Sequence, residues 1–367
     1  MTPIHDHTES LMSLKAVLPN GSFYQSGLAE AGFHEIDKKF KWGTGPYLDM
    51  LFQQSNYGVV YEATIKLAKR PGFLMVFNIA IGDSQLEKYV EVIKSYLETY
   101  SGVVSGVNFI NARRMLAVKT SYRAASLNVL SDDEVKKIAR QNGVSDWTII
   151  GSIYAPEAVS KAIKKDLARR MKGLPGKKRF ISTKQLAFLK KHRRLLKPFV
   201  SVDLNVLEEV FAILLGKPSN VAQNLCYALR KTPDAEKQFN PVKDNSGLLW
   251  FAPVLPFDAQ NIRAFIQTAT KVCVQNNIEP MLSLTTVSET AVLGTLPILY
   301  RKDLELDESD RANRCYAELL QQCTPKGYFP YRLPVTFQQE FYNRFKDKAP
   351  LSRRIKEALD PDGVLAP

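Results

Sequence analysis

Strand and helix periodicities between residues 73 and 322 fall into two similar runs, and this constrains the fold more than any other feature. Phe73–Ile81 reads as a strand. Ser84–Tyr100 reads as a helix, apolar at Leu86, Tyr89, Val90, Ile93 and Leu97 and opened by a capping box of Ser84 with Glu87. A further helix opens at Ser131 with Glu134 and closes at Gly143. Trp147–Tyr154 is a strand, and Pro156 at a first helical position starts a helix reaching Lys172. The later half echoes this: strand 248–255, helix 258–275, strands 280–288 and 295–300, helix 307–322. A strand-helix-strand-strand-helix unit folds as an antiparallel sheet with its helices on one face. The expected class is therefore α+β, with two ferredoxin-like units sharing one sheet.

The flanks differ. Leu14–Leu18 and Ser22–Ser26 surround Pro19-Asn20-Gly21, a hairpin signal, because Asn-Gly supplies the positive φ that a tight turn needs. Gly58–Leu67 is β-branched and alternating, so it reads as a strand. Lys69-Arg70-Pro71-Gly72 is a chain break. The expected organisation is 1–71, 72–325 and a returning tail of short helices, 326–367.

Composition narrows the setting. With no run of 18 apolar residues and no basic-then-apolar start, the expectation is neither a membrane span nor a leader. Four cysteines, none in a Cys-x-x-Cys pair, make neither a disulfide framework nor a zinc site, so reduced thiols and a cytoplasmic location are expected. The net charge of +13 is local: residues 161–197 hold 15 Lys and Arg against one acid, Asp166. Two solvated helix faces are the plain reading, and a docking patch for an acidic partner is the functional one. Few aromatics interleave with the charge, which argues against nucleic acid.

The residues by themselves offer two candidate clusters. There is no Gly-x-Gly-x-x-Gly, no Walker loop and no Ser/His/Asp set, and only four histidines (His5, His7, His34, His192). His5 and His7 lack a third ligand, so no metal site is expected. One cluster is Gly45-Pro46-Tyr47-Leu48-Asp49 with Gln54-Ser55-Asn56-Tyr57-Gly58-Val59-Val60, where Asn and Gly before a strand allow close backbone approach to a ligand. The other is Gly327–Pro334, which holds Tyr331 and Arg332 between Pro330 and Pro334. A fixed phenol hydroxyl beside a fixed guanidinium suits an anionic oxygen.

These clusters occur in an order that resembles the vanillyl-alcohol oxidase / p-cresol methylhydroxylase family of flavoproteins. Thr2-Pro3-Ile4-His5-Asp6-His7 is similar to that family's Thr-Pro-Tyr-Gly-Asp-His. Leu14–Gly21, the Gly45–Asp49 and Leu51–Val60 runs, Arg301-Lys302-Asp303, Tyr331-Arg332 and the closing Asp360-Pro361-Asp362-Gly363 follow in family order. The Gln-Ser-Asn-x-Gly and Asp-Pro-x-Gly runs also resemble wider FAD-linked oxidases, D-lactate dehydrogenases included.

The resemblance implies a partial FAD-binding domain, a cap over residues 73 to about 323, and a C-terminal helical segment. It implies a catalytic Asp6 near the flavin, Tyr331 and Arg332 binding the oxygen of a para-substituted phenol, and Gly45, Asn56, Gly58 and Val59 lining the FAD site. The cofactor would be FAD. No histidine follows His192, so a histidine tether from the cap is excluded and FAD would be held non-covalently. The family's FAD domain begins before its Thr-Pro motif and ends beyond its Ala-Pro, so a fragment is expected, with the absent half-domain as a partner. A remnant that binds no FAD, a scaffold for a partner, a homo-oligomer and a 2-hydroxy-acid oxidoreductase are the alternatives.

The implied chemistry is physically coherent. A cation about 4 Å from a phenolate, at an effective dielectric near 20, contributes roughly 4 kcal/mol. That is about three pKa units, enough to bring a phenol from about 10 to ionisation at neutral pH. Arginine fits because it stays charged when desolvated, and Asp6 would accept a proton or stabilise charge.

Overall fold

A computed structural model describes residues 7–120, 128–192, 204–229, 239–303, 307–345 and 350–365. Contacts separate the described chain into two units, one of 70–334 and one of 7–69 with 335–365.

The smaller unit has a three-stranded antiparallel sheet. β1 (Leu11–Val17) lies between β2 (Phe23–Gln25) and β3 (Val59–Ile65). The expected hairpin forms, with Gly21 at φ +80° in the turn. β3 is an edge strand whose side chains are nearly all exposed. With Phe23, Val59, Tyr61, Ile65 and Leu67 at the surface, this sheet presents far more apolar area than a finished surface normally leaves in water. Helices Val335–Phe345 and Pro350–Leu359 complete the unit.

The larger unit realises the repeated pattern. Its first run supplies β4 (Met75–Ile81), β5 (Asn108–Asn111), β6 (Trp147–Ile153) and β7 (Lys177–Ser182). The second supplies β8 (Ser246–Phe251) and β9 (Pro253–Pro256), which share one register, then β10 (Ser283–Thr286), β11 (Ala291–Arg301) and β12 (Phe329–Pro330). The described strands form one nine-stranded sheet in the order β12-β9-β11-β10-β5-β6-β4-β7, with β8 also on β11. Within each run the spatial order is fourth, first, third, second strand, the ferredoxin-like arrangement. The runs meet where their second strands pair, Ser283 opposite Ile110.

The helices Leu86–Tyr100, Glu157–Arg170, Ala259–Gln275 and Asp307–Cys323 supply the core on one sheet face. The sheet turns Phe77, Ile79, Phe109 and Ile149 towards them, all fully buried. Two strand glycines make this packing possible. A Cβ on Gly151 would lie 2.3 Å from the Phe77 ring, and one on Gly294 would lie 2.5 Å from Phe265. Gly151→Val is therefore expected to cost about 1–3 kcal/mol by overpacking, measured as a lowered urea midpoint at unchanged slope.

Three expectations are corrected. The Ser131–Glu134 capping box forms, but the Ser84–Glu87 box does not. Glu87 is taken by Arg263, whose Nε donates to it at 2.6 Å while Nη1 donates to Asp83 at 2.9 Å. Pairing with the other run's helix outcompetes local capping, and Arg263 holds the Glu87 carboxyl below its usual range. The helix after Pro156 begins at Glu157, with Pro156 capping it.

The basic segment is not simply two helix faces, because Lys177, Lys178 and Arg179 lie on β7, a sheet edge. Lysine there discourages strand addition by another chain. Much of the remaining charge is used internally. Lys161 and Lys184 pair with Glu157, Arg169 and Arg170 with Asp166, and Lys190 with Glu208. Lys178 donates to the carbonyls of Met171 and Leu174 just past the helix end. No described helix is long and apolar enough to cross a membrane.

Candidate functional site

The face of the large sheet opposite the core helices is only partly covered. Helices Thr183–Lys191 and Leu204–Leu214 close one end over Leu74 and Val76. Helix Ala112–Lys119 and the turn Asn220–Tyr227 close the other over Met281 and Leu299. Between them Asn78, Asn108, Thr285, Leu293 and Thr295 remain half-exposed. Thr285 donates to Asn108 across β10 and β5 at 2.5 Å. A sheet face that keeps Asn and Thr at its centre, flanked by apolar closures, is built to meet a polar ligand or another surface rather than a dry core.

Tyr331 and Arg332 belong to this unit. Phe329 pairs with Val254 and Pro330 with Pro253, so β12 joins the large sheet, and the residues up to 334 group with the larger unit. Tyr331 and Arg332 follow in an exposed turn, with Tyr331 48 % accessible. The Arg332 guanidinium sits 5.2 Å from the Tyr331 ring centroid. The stacking orients the cation beside the phenol while both remain open to a ligand. Gly327, at φ +80° after the helix Asp307–Cys323, turns the chain into β12.

The other named residues lie in the smaller unit, except Asp6, which lies outside the described residues. Gly45 has φ +93° with open space where a Cβ would stand. The neighbouring Tyr47 hydroxyl is buried without a partner, and burial pushes it up to about 12. Asp49, at the end of that loop, is 1 % exposed and accepts from Tyr24 (2.5 Å) and Ser26 (2.7 Å), which fixes the loop to the hairpin. Gly58 has a packing reason for lacking a side chain: its Cβ would meet Phe52 at 2.8 Å and the Val17 carbonyl at 3.0 Å. Val59 is exposed.

The structure joins two motifs that sequence reasoning left separate. Buried Asp360 accepts from the Val364 and Leu365 amides at 2.7 and 3.0 Å and from Lys356 at 2.5 Å. Lys356 also donates to the Asn56 carbonyl at 3.2 Å, and the Tyr57 hydroxyl donates to the Ser352 carbonyl at 2.9 Å. The C-terminal turn thus clamps the Gln-Ser-Asn loop.

The hydrogen bond from Lys356, with the Val364 and Leu365 amides, holds the Asp360 carboxyl below its usual range. Its contribution is therefore complete above the unfolded carboxylate value, near 3.9, and is lost as pH falls through the lower folded one. Acid should release the clamp, seen as faster amide exchange at residues 54–58 and 360–365. Asp360→Asn should exchange fast there at every pH. Asp49 runs the other way: burial raises its pKa, so its contribution favours low pH.

Among the described residues no cluster of three His, Cys, Asp or Glu could hold a metal. Sequence reasoning did not single out Lys356, and it held Asp49 only as the end of the Gly-Pro-Tyr-x-Asp run.

No known family profile matches the sequence. The 1'-carboxy-chondrochloren decarboxylase of Chondromyces crocatus is 26% identical over 363 residues, covering 97% of this chain and 67% of the relative. The 4-cresol dehydrogenase [hydroxylating] flavoprotein subunit of Pseudomonas putida is 22% identical over 374 residues, 100% of this chain and 65% of the relative. A crystal structure of p-cresol methylhydroxylase with substrate bound superposes over 100% of this chain and 66% of its own, with TM-score 0.82 and 20% identity.

The chain shares the fold of p-cresol methylhydroxylase, and its sequence is similar to these relatives along its whole length.

A 4-ethylphenol oxidase from Gulosibacter chungangensis, solved with isoeugenol, gives TM-score 0.83 at 18% identity over 100% of this chain and 66% of its own. The chain spans about two thirds of the length of these relatives.

Proposed function

We propose that this chain carries the phenol-binding part of an FAD-linked oxidoreductase acting on para-substituted phenols. The observation that carries the reading is the open Tyr331–Arg332 turn, where a guanidinium stacked on a phenol ring faces no carboxylate partner among the ion pairs of the described residues. Tyr331 donates to the phenolic oxygen, and Arg332 holds that oxygen ionised. Asp6 serves as proton acceptor. Gly45, Asn56, Gly58 and Val59 hold the FAD, whose chemistry when bound is to accept the hydride.

The open Gly45 and the orphaned Tyr47 hydroxyl fit a polar group against that loop. The exposed apolar side chains of β3 fit a surface completed by further polypeptide, so FAD affinity is expected to be weak unless that surface is covered. The relatives named for 4-cresol and 4-ethylphenol support the substrate class. The relative named as a decarboxylase of a carboxylated compound leaves the para substituent open.

The test is difference absorbance of 4-ethylphenol mixed with the protein at neutral pH, with FAD added. A phenolate spectrum that appears with the wild type and not with Arg332→Ala supports the reading. Binding of the neutral phenol alone, equal in both, refutes it.

A further inference from the structure

Arg114 is the least accounted-for charged group in the larger unit. It follows β5 on helix Ala112–Lys119, next to Arg113, but the two arginines differ. Arg113 is bonded to Glu279, to Asp132 at 2.7 Å and to the Leu130 carbonyl at 3.0 Å. Among the ion pairs of the described residues, none joins the Arg114 guanidinium to a carboxylate. Its Nη1 donates to the Thr295 carbonyl over a long 3.4 Å, and it lies 5.3 Å from the Trp250 ring centroid. Burial lowers its pKa to about 10, so it is still a cation at neutral pH.

The register places this cation relative to the Tyr331 turn. Gly294 faces the helix core, since its missing Cβ points at Phe265, so Thr295 lies on the open face. Trp250, opposite Pro297, shares that face. Phe329 stands opposite Val254, and Val254 opposite Leu293. Extended two residues past the paired positions, both registers point Tyr331, in the bend just after β12, to the row of Thr295, across one intervening strand. Two strand spacings are about 10 Å. From ordinary bond lengths, the oxygen of a para-substituted phenol and a carboxylate at the end of its short side chain are about 8–9 Å apart.

Resting on the phenolate reading of Tyr331 and Arg332, we infer that Arg114 is a second anion-binding residue, which selects para-substituted phenols carrying a carboxylate on the side chain. The Trp250 ring lies against the guanidinium and orients it, and the incoming carboxylate supplies a counter-charge. Arg114 binds and orients; no bond is made or broken at it.

The experiment is calorimetric titration of the protein with 3-(4-hydroxyphenyl)propionate, 4-propylphenol and 3-phenylpropionate, in wild type, Arg114→Met and Arg332→Ala. Wild type should prefer the carboxylated phenol over 4-propylphenol by about tenfold or more, the worth of a charge-assisted pair. Arg114→Met should erase that preference and leave 4-propylphenol binding unchanged. Its melting temperature should hold or rise, because a half-buried cation with no carboxylate partner among the described residues is removed. A preference that is absent, or that survives Arg114→Met, overturns the inference and leaves the phenolate reading standing. A lower melting temperature with equal loss for both phenols makes Arg114 structural and overturns it too. If Arg332→Ala binds both phenols like wild type, the phenolate reading fails, and Arg114-dependent binding of 3-phenylpropionate then decides Arg114 alone. Binding of none of the three overturns both.

Discussion

Arg332→Ala is expected to lower kcat/KM for a 4-alkylphenol by about a thousandfold in the FAD-loaded protein, and to change a non-phenolic alcohol only slightly. The magnitude follows from the charge it supplies. A cation about 4 Å from a phenolate at an effective dielectric near 20 contributes roughly 4 kcal/mol, and each 1.36 kcal/mol is tenfold in rate. The structure keeps that charge available. Arg332 is exposed in the turn after β12 and stacks on Tyr331 rather than pairing with an acid. Lysine should recover part of the loss, since it restores the charge without the planar fork. Raising the pH towards the free phenol value, about 10, should also rescue the alanine variant, because solution then supplies the ionised substrate. Equal losses on phenolic and non-phenolic substrates would remove Arg332 from the phenolate role.

The second large effect concerns stability. Arg113→Met is expected to destabilise the larger unit by about 3–5 kcal/mol, the cost of leaving a buried charge unpaired. Arg113 is 7 % and Glu279 4 % exposed, and the pair joins the helix Ala112–Lys119 to the segment before β10. Leu130 and Asp132 are held by the same guanidinium, so the start of the helix Asp132–Gln141 depends on it. The double variant Arg113→Met, Glu279→Leu should regain most of the loss, because two apolar side chains of similar volume need no counter-charge. Urea unfolding of the three variants measures this. Failure of the double variant to recover would mean that the bonds to Leu130 and Asp132, rather than the pair, carry the energy.

The neighbouring arginines show where sequence reasoning stops. Adjacent on one helix and identical in type, Arg113 and Arg114 differ only in what distant segments bring to them: Glu279 to one, Thr295 and Trp250 to the other. The capping boxes teach the same lesson. Ser131–Glu134 formed because nothing competed for it. Ser84–Glu87 did not, because Arg263, some 176 residues away, gives Glu87 a charged partner.

The sequence by itself determined the two ferredoxin-like runs, the Asn-Gly hairpin and the family-like order of motifs, because periodicity, turn chemistry and capping act within a few residues. Only the tertiary structure decided that β5 and β10 join the runs into one sheet, that β12 pairs with β9 just before Tyr331, and that Lys356 clamps Asn56 to the C-terminal turn. Those facts depend on strand register and on charges meeting across long separations. A chain that gives only local preferences cannot state which distant partner fills a buried bond, because that choice is made by what else the packed core leaves free.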